Sequence, residues 1–312
     1  MITIGVQTKG ILPCVNTARA FDMIRAAGFD CIDFNLDSFL RNNDLYSGRV
    51  NSFFDFSREE LRLFFGEYKA QMDRVGLKAS QMHAPYPIWV DLKWEQNDYV
   101  MGDVIPKSLE IAHVMDIPWV VIHPMKMQKM YGKAEELRQN VEYYKSLVPL
   151  LKEYKVGVCV EDLYESVGGR ITEGPCTDAD EAIYYIDTLN DYAGEELFGL
   201  CLDTGHLQLT KQDPAAYIRR AGSRIKVLHL HENDSRYDLH QMPFTYGRKA
   251  EDGLNWQEIA HALAEAGYDG TLSFETFPCI KAFPKEILPA ALRTMHEIGE
   301  YIKSEIETEI LI

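Results

Sequence analysis

The chain has 312 residues, 46% of them hydrophobic, enough for a large buried core. Lysine and arginine total 32 against 48 aspartate and glutamate, a formal net charge of −16. That balance argues against nucleic acid as a partner, because phosphate binding needs a basic surface.

No run of about 18 apolar residues occurs, so no membrane span is expected. The start Met1-Ile-Thr-Ile-Gly-Val reads as a strand and lacks the basic and apolar regions of a signal peptide, so the expected location is cytoplasmic. Six cysteines, at 14, 31, 159, 176, 201 and 279, form no Cys-x-x-Cys pair. Cys31, Cys159 and Cys201 sit in apolar runs, where a cysteine is usually a small core residue. A disulfide framework or a thiolate zinc site is therefore not expected.

In chain order, strand-like runs are predicted at Thr3–Val6, Cys31–Leu36, Ala79–Met82, Trp119–His123, Gly157–Glu161, Phe198–Asp203, Lys226–His231 and Thr271–Phe274. Helices are predicted between them, near Thr17–Ala27, Arg58–Val75, Tyr99–Met115, Ala134–Tyr154, Asp178–Leu189, Pro214–Ala221, Trp256–Ala266 and Pro284–Ile302. In the fourth, Leu137, Val141, Tyr144 and Leu147 recur at three- and four-residue steps and make one apolar face; Pro149 should kink or interrupt it. Eight strands alternating with eight helices imply an α/β fold with a parallel sheet. The runs read as nearly continuous apolar segments, as strands buried on both faces should. The expected architecture is one (β/α)₈ barrel domain over residues 1–312, closed by a C-terminal helix near 284–306. A doubly wound open sheet is the alternative, but no Gly-x-Gly-x-x-Gly follows the first strand.

The C-terminal ends of barrel strands carry the chemistry. Those ends here offer His83, His123, Glu161, Asp203 with His206, His229 with His231, and Glu275. A buried acid or imidazole must find a partner. Structural pairing does not require six successive strands to place such groups at the same end, whereas a shared site does. Carboxylates with imidazoles suit manganese, zinc, cobalt or iron better than calcium. His229 and His231 point to the same side of their strand. His231 is nearer the end and is the better ligand; His229 is expected deeper, orienting its neighbour.

Leu-Asp-Thr-Gly-His at 202–206, His-Glu-Asn-Asp at 231–234 and Phe-Glu-Thr at 274–276 resemble motifs of the xylose isomerase-like barrel superfamily. The likeness is closest to its sugar phosphate isomerase/epimerase group, which shares its fold with endonuclease IV. It extends from the first strand to the closing helix. It implies that Glu161, Asp203, His231 and Glu275 hold one divalent metal, and that His206 faces substrate. Arg236 lies one position away from a substrate-binding arginine of that pattern. The endonuclease IV pattern adds His83, His123, His206, Asp238 and His240 as further ligands, which would raise the metal count to as many as three.

The implied activity is metal-dependent isomerisation or epimerisation of a sugar or polyol derivative through a stabilised enediolate. Glu161 and Glu275, from strands on different sides of the mouth, would exchange protons on opposite faces of the substrate. The alternatives are an endonuclease IV-like phosphodiesterase, disfavoured by the net charge, and a sugar lyase or dehydratase on the same fold.

Three long connections are candidate lids. Asp37–Ser57 carries Phe39, Tyr46, Phe53, Phe54 and Phe56. Pro85–Asn97 carries Tyr86, Trp89 and Trp94. Ser235–Asn255 carries Arg236, Tyr246, Arg248 and Lys249. Trp89 and Trp94 are candidates for stacking on a sugar, and Arg248 and Lys249 for meeting an anion. The competing reading is that the aromatics pack these loops down or form a subunit contact, which leaves room for a homo-oligomer.

Overall fold

A computed structural model describes residues 2–12, 15–247 and 253–310, and ten strands lie among them. Eight form one parallel sheet: β1 (Thr3–Gln7), β2 (Cys31–Asn35), β3 (Lys78–His83), β4 (Trp119–Ile122), β5 (Gly157–Glu161), β8 (Phe198–Asp203), β9 (Ile225–His229) and β10 (Thr271–Phe274). Their spatial order is β10-β1-β2-β3-β4-β5-β8-β9. The gap between β9 and β10 is closed by a parallel bridge from Leu230 to Phe274. The Leu230 N–H donates to the Ser273 carbonyl (2.8 Å), and the Glu275 N–H to the Leu230 carbonyl (3.2 Å). This is the (β/α)₈ barrel, and its closure sets His231 beside Glu275.

Period-two alternation divides each strand between two environments. Ile4, Val6, Ile32, Phe34, Val120, Ile122, Val158, Val160, Phe198, Leu200, Leu202, Leu228, Leu272 and Phe274 join the main core, between sheet and helices. Val121, Cys159, Cys201 and Val227 form a separate small cluster with Trp119. Alternation puts these on the other face, inside the barrel, in line with Gln7, Asp33, Gln81, His229 and Ser273, all fully or almost fully buried. The expectation of apolar residues on both faces is thereby corrected. The outer face is apolar, but the inner face turns from small and apolar to polar along the strand direction.

The remaining two strands, β6 (Tyr164–Val167) and β7 (Arg170–Glu173), form an antiparallel hairpin that the apolar runs do not reveal. Gly168 and Gly169 join them, both at positive φ (58° and 77°), as a two-residue primed turn requires. The helix Lys133–Tyr154 is assigned without a break through Pro149, so no interruption occurs. Its buried Tyr144, Leu147, Val148 and Leu151 hold it on both sides of the proline. The last helix runs Leu288–Ile310, later than expected at both ends. Among the described residues no helix is long and apolar enough to cross a membrane.

Phe39, Phe53 and Phe54 follow the packing reading. Phe39 stacks on Phe53 (4.9 Å) and meets Phe65 edge-on (5.2 Å), while Phe53 meets Phe54 (5.4 Å). These rings fasten the β2 loop to the helix Arg58–Val75, whose start is fixed by a capping box between Ser57 and Glu60.

Candidate metal centre

Asp-Thr-Gly-His is legible residue by residue. Asp203 ends β8 and caps the helix Thr204–Leu209: its Oδ1 accepts the His206 N–H at 2.7 Å. The Thr204 hydroxyl donates to the His231 carbonyl (2.7 Å) and accepts the His231 N–H (3.0 Å), tying β8 to β9. A Cβ at Gly205 would collide with the His231 ring, so only glycine lets that imidazole lie there.

His-Glu-Asn-Asp shapes the next loop. Asn233 Oδ1 accepts the N–H groups of Leu239 (2.6 Å) and His240 (3.1 Å), which carries Asp238 and His240 back to the mouth. His240 adopts a left-handed φ of 47°, a strained geometry that the surrounding bonds impose. Glu232 instead points away and accepts from Leu254 N–H and Trp256 Nε1–H, both at 3.2 Å.

Three carboxylates converge on one imidazole. His229 Nδ1 lies 3.2 Å from Glu161, 3.1 Å from Glu275 and 4.0 Å from Asp203. Its Nε2 lies 3.1 Å from Asp33, which also accepts from the amides of Gln81 (3.3 Å) and Gln7 (3.4 Å). His229 therefore lies one layer lower, as expected, but touches the carboxylates directly and does not orient His231. His231 Nε2 lies 2.8 Å from Asp203 Oδ1, while its buried Nδ1 has no hydrogen-bond partner among the described residues.

Ligand atoms of Glu161, Asp203, His229 and Glu275 all lie within 4.8 Å of one another. So do those of His231, His240 and Glu275, and of His83, Glu161 and His229. Of the four expected ligands, Glu161, Asp203 and Glu275 share one cluster and His231 belongs to the adjoining one.

The outer imidazoles have fixed tautomers. A carbonyl oxygen only accepts, so Nδ1 carries the proton where it meets one. His83 gives that proton to the Ala84 carbonyl, His206 to Asp162 and His240 to Glu275, each at 2.8 Å. In the neutral ring each Nε2 would be a free lone pair, the arrangement that metal-binding histidines use. Without a cation, burial opposes their charge, but Asp203 and Asp238 hold His206 well above the ordinary value and Asp238 pushes His240 up to about 9, so a metal would displace their Nε2 protons. His83 Nε2 lies 3.1 Å from His123 Nε2, and Glu161 Oε2 lies 2.9 Å from His123 Nε2. His206 and His240 face Asp238 Oδ2 at 3.7 and 3.1 Å. Burial pushes His123 down to about 4, so it is neutral at neutral pH. Burial works against the charge on Glu161, but His123 and His229 outweigh it and hold the carboxyl well below the ordinary value.

These groups fit a divalent cation. The donors are oxygen and imidazole nitrogen with no thiolate, the neutral tautomers free Nε2 atoms, and His231 Nδ1 is buried without a partner.

A cavity of about 150 Å³ opens above the cluster, lined by His83, His123, Glu161, His206, Asp238, His240 and Glu275. Tyr46, Tyr86 and Tyr164 form part of its wall. The Tyr86 ring lies 4.3 Å from that of His123, and Tyr164 lies 5.2 Å from His206. Four lining residues were not singled out from sequence: Leu163 and Tyr164, which follow β5, and Asn42 and Lys126. Asn42 opens the short helix Asn42–Ser47 and Lys126 lies on the loop after β4, and no apolar periodicity marks either. Asp162, missed beside Glu161, accepts the Asp203 N–H at 2.7 Å. Arg236 is exposed in a turn made by Asp234 and does not line the cavity. Nor do Trp89 and Trp94, which meet each other edge-on at 5.2 Å by a separate cleft that Trp94 lines. Arg248 and Lys249 lie outside the described residues.

Among solved structures, the fold is similar to a D-tagatose 3-epimerase-like protein (TM-score 0.68, 16% identity, 99% of each chain). It is also similar to an L-ribulose 3-epimerase (TM-score 0.69, 16% identity, 99% of this chain and 96% of that one). A third is the 3-keto-D-glucoside 4-epimerase of E. coli (TM-score 0.66, 14% identity, 97% and 100%). At these identities the likeness is one of fold.

Two curated relatives are uncharacterized proteins. The chain is 23% identical over 282 residues to y4fM of Sinorhizobium fredii, covering 83% of this chain and 80% of that one. It is 26% identical over 202 residues to MJ1311 of Methanocaldococcus jannaschii, covering 62% and 63%. The model of the family described as xylose isomerase-like TIM barrel matches residues 21–298. The chain therefore belongs to the xylose isomerase-like TIM barrel family.

Proposed function

We propose that this protein is a divalent-metal-dependent isomerase or epimerase of a sugar or polyol derivative. The observation that carries this is the pair Glu161 and Glu275, which reach one point from β5 and from the end of β10 while each keeps its second oxygen elsewhere. Glu161 Oε1 and Glu275 Oε2 both face His229 Nδ1. Glu275 Oε1 accepts from the Gln7 amide at 2.8 Å, and Glu161 Oε2 faces His123.

The ion would be held by Glu161, Asp203 and Glu275 with His229 or His231, and is expected to be manganese, zinc, cobalt or iron. When bound, such an ion would supply the positive charge that makes a C–H next to a carbonyl acidic. Glu161 and Glu275 take up and return the proton from opposite sides. Gln7 orients Glu275, and Asp33 orients His229. His206 faces substrate from the helix Thr204–Leu209, and the tyrosine wall limits access of water. The solved epimerases of the same fold support the reaction class.

The test is deuterium exchange. The metal-loaded protein, incubated in D₂O with D-tagatose, D-psicose and L-ribulose, should place deuterium next to the carbonyl. No exchange into any of them would sink the reading for ketoses. A second reading, phosphodiester cleavage, is favoured by the gathering of His83, His123, His206, Asp238 and His240 at the cavity. The formal charge of −16 and the small cavity weigh against it. Clean nicking of an abasic-site duplex would reverse this ranking.

A further inference from the structure

Lys126 is the one lysine or arginine among the described residues that line the cavity. Its ammonium donates to the Tyr164 carbonyl at 2.6 Å and lies 5.2 Å from the centre of the Tyr164 ring. Among the described residues it makes no ion pair. Two N–H donors therefore remain. The side chain is half-buried, and a cation partly drawn out of water without a counter-charge is unfavourable. Burial accordingly pulls Lys126 below the ordinary lysine value, partly offset by the more distant Glu165, Asp238 and Glu161.

The loop that presents it is clamped on both sides. Asn140 accepts the Met125 N–H (2.7 Å) and donates to the Met125 carbonyl (3.0 Å). Glu136 accepts the N–H groups of Met127 (2.5 Å) and Gln128 (2.7 Å). Glu136 and Asn140 stand four residues apart on one face of the helix Lys133–Tyr154. Side chains thus fix the backbone directly before and after Lys126, which limits the ways its charge can swing out to water.

We propose that Lys126 binds a carboxylate of the substrate and so selects acid sugars over neutral ones. This rests on the cavity being a sugar site. The volume, about 150 Å³, suits one small sugar unit. An ammonium can meet either a carboxylate or a phosphate oxygen; one cation in a cavity of about 150 Å³ favours the smaller, singly charged carboxylate. Arg236, the cation expected from sequence, is exposed outside the cavity, so the positive charge comes from the β4 side instead.

The test is equilibrium binding by calorimetry to manganese-loaded protein, independent of any turnover. D-gluconate, D-glucitol and D-glucitol 6-phosphate are compared, with metal content checked in every variant. Gluconate should bind more tightly than glucitol. Its advantage should fall roughly tenfold or more in Lys126→Met, the scale of one charge-assisted hydrogen bond, and return in Lys126→Arg. Arg236→Met should leave it intact. An unchanged advantage in a folded, metal-loaded Lys126→Met protein would overturn the proposal, since a lysine that only anchors Tyr164 has no charge preference to lose. Tighter, Lys126-dependent binding of the phosphate would overturn the carboxylate assignment. Absence of deuterium exchange on neutral ketoses would remove only the reading for neutral ketoses and would leave the Lys126 assignment to this binding comparison.

Discussion

The two faces of the barrel strands follow opposite rules. On β8, Phe198, Leu200 and Leu202 face the helices while Cys201 and Asp203 face the interior. On β5, Val158 and Val160 alternate in the same way with Cys159 and Glu161. The outer face tolerates nothing but apolar volume, and that face builds the fold. The inner face begins with Val121, Cys159, Cys201 and Val227 and ends in carboxylates and imidazoles. One strand residue therefore separates a stability position from a chemical one.

The comparison is broken most sharply by Glu161→Gln. Loss of the carboxylate should lower deuterium exchange by roughly 10³-fold at saturating manganese, the upper range for a proton-transfer group. Thermal stability without metal should fall, since His123 and His229 net-stabilise the ionised carboxylate and His229 loses one of its partners; a variant that exchanges normally would remove Glu161 from the chemistry. On the opposite face, Phe198→Ala should cost about 3–5 kcal/mol in urea unfolding, because Phe198 is fully buried against Tyr144. The fraction that stays folded should still bind manganese normally. Altered metal stoichiometry there would blur the division between faces.

Asp33→Asn sharpens the comparison one layer below the cluster. Its Oδ2 lies 3.1 Å from His229 Nε2, so neutralising it should weaken metal affinity about 10–100-fold, the usual range for a residue that orients a ligand. Metal titration followed by calorimetry checks this, and an unchanged affinity would leave Asp33 a purely structural acid. The smallest effect is expected from Trp94→Ala. Trp94 is 49% exposed and outside the cavity, so sugar affinity should stay within about twofold. A larger loss would restore it as a stacking residue.

Much of the site was legible because its residues end apolar runs. His123, Glu161 and Asp203 each follow several buried hydrophobic residues, and that abrupt change is a sequence signal; His83 and Glu275 end shorter, interrupted runs. Gln7, Asp33, Asn35 and Gln81 gave no such signal. They lie within or at the end of short runs and read as interruptions, yet all four are buried, and Gln7, Asp33 and Gln81 form the polar layer beneath the cluster. The hairpin of β6 and β7 did carry a signal, Gly168-Gly169, but its strands are polar and exposed and do not stand out as apolar segments.

What the amino-acid order determined by itself was local: the strand–helix alternation, the capping of Thr204–Leu209 by Asp203, and the chemistry of the donors. These depend on neighbours within a few residues. Tertiary structure alone decided which imidazole meets which carboxylate. His229 rather than His231 touches Glu161 and Glu275, because barrel closure at Leu230 and Phe274 fixes how far β9 reaches. It also decided that Lys126 enters the cavity while Arg236, Trp89 and Trp94 stay outside it. Loop side chains are aimed by contacts such as those of Asn140 and Glu136 with the β4 loop, which come from residues 8–15 positions away in the chain. Periodicity records which face of an element is buried, but not where a loop turns.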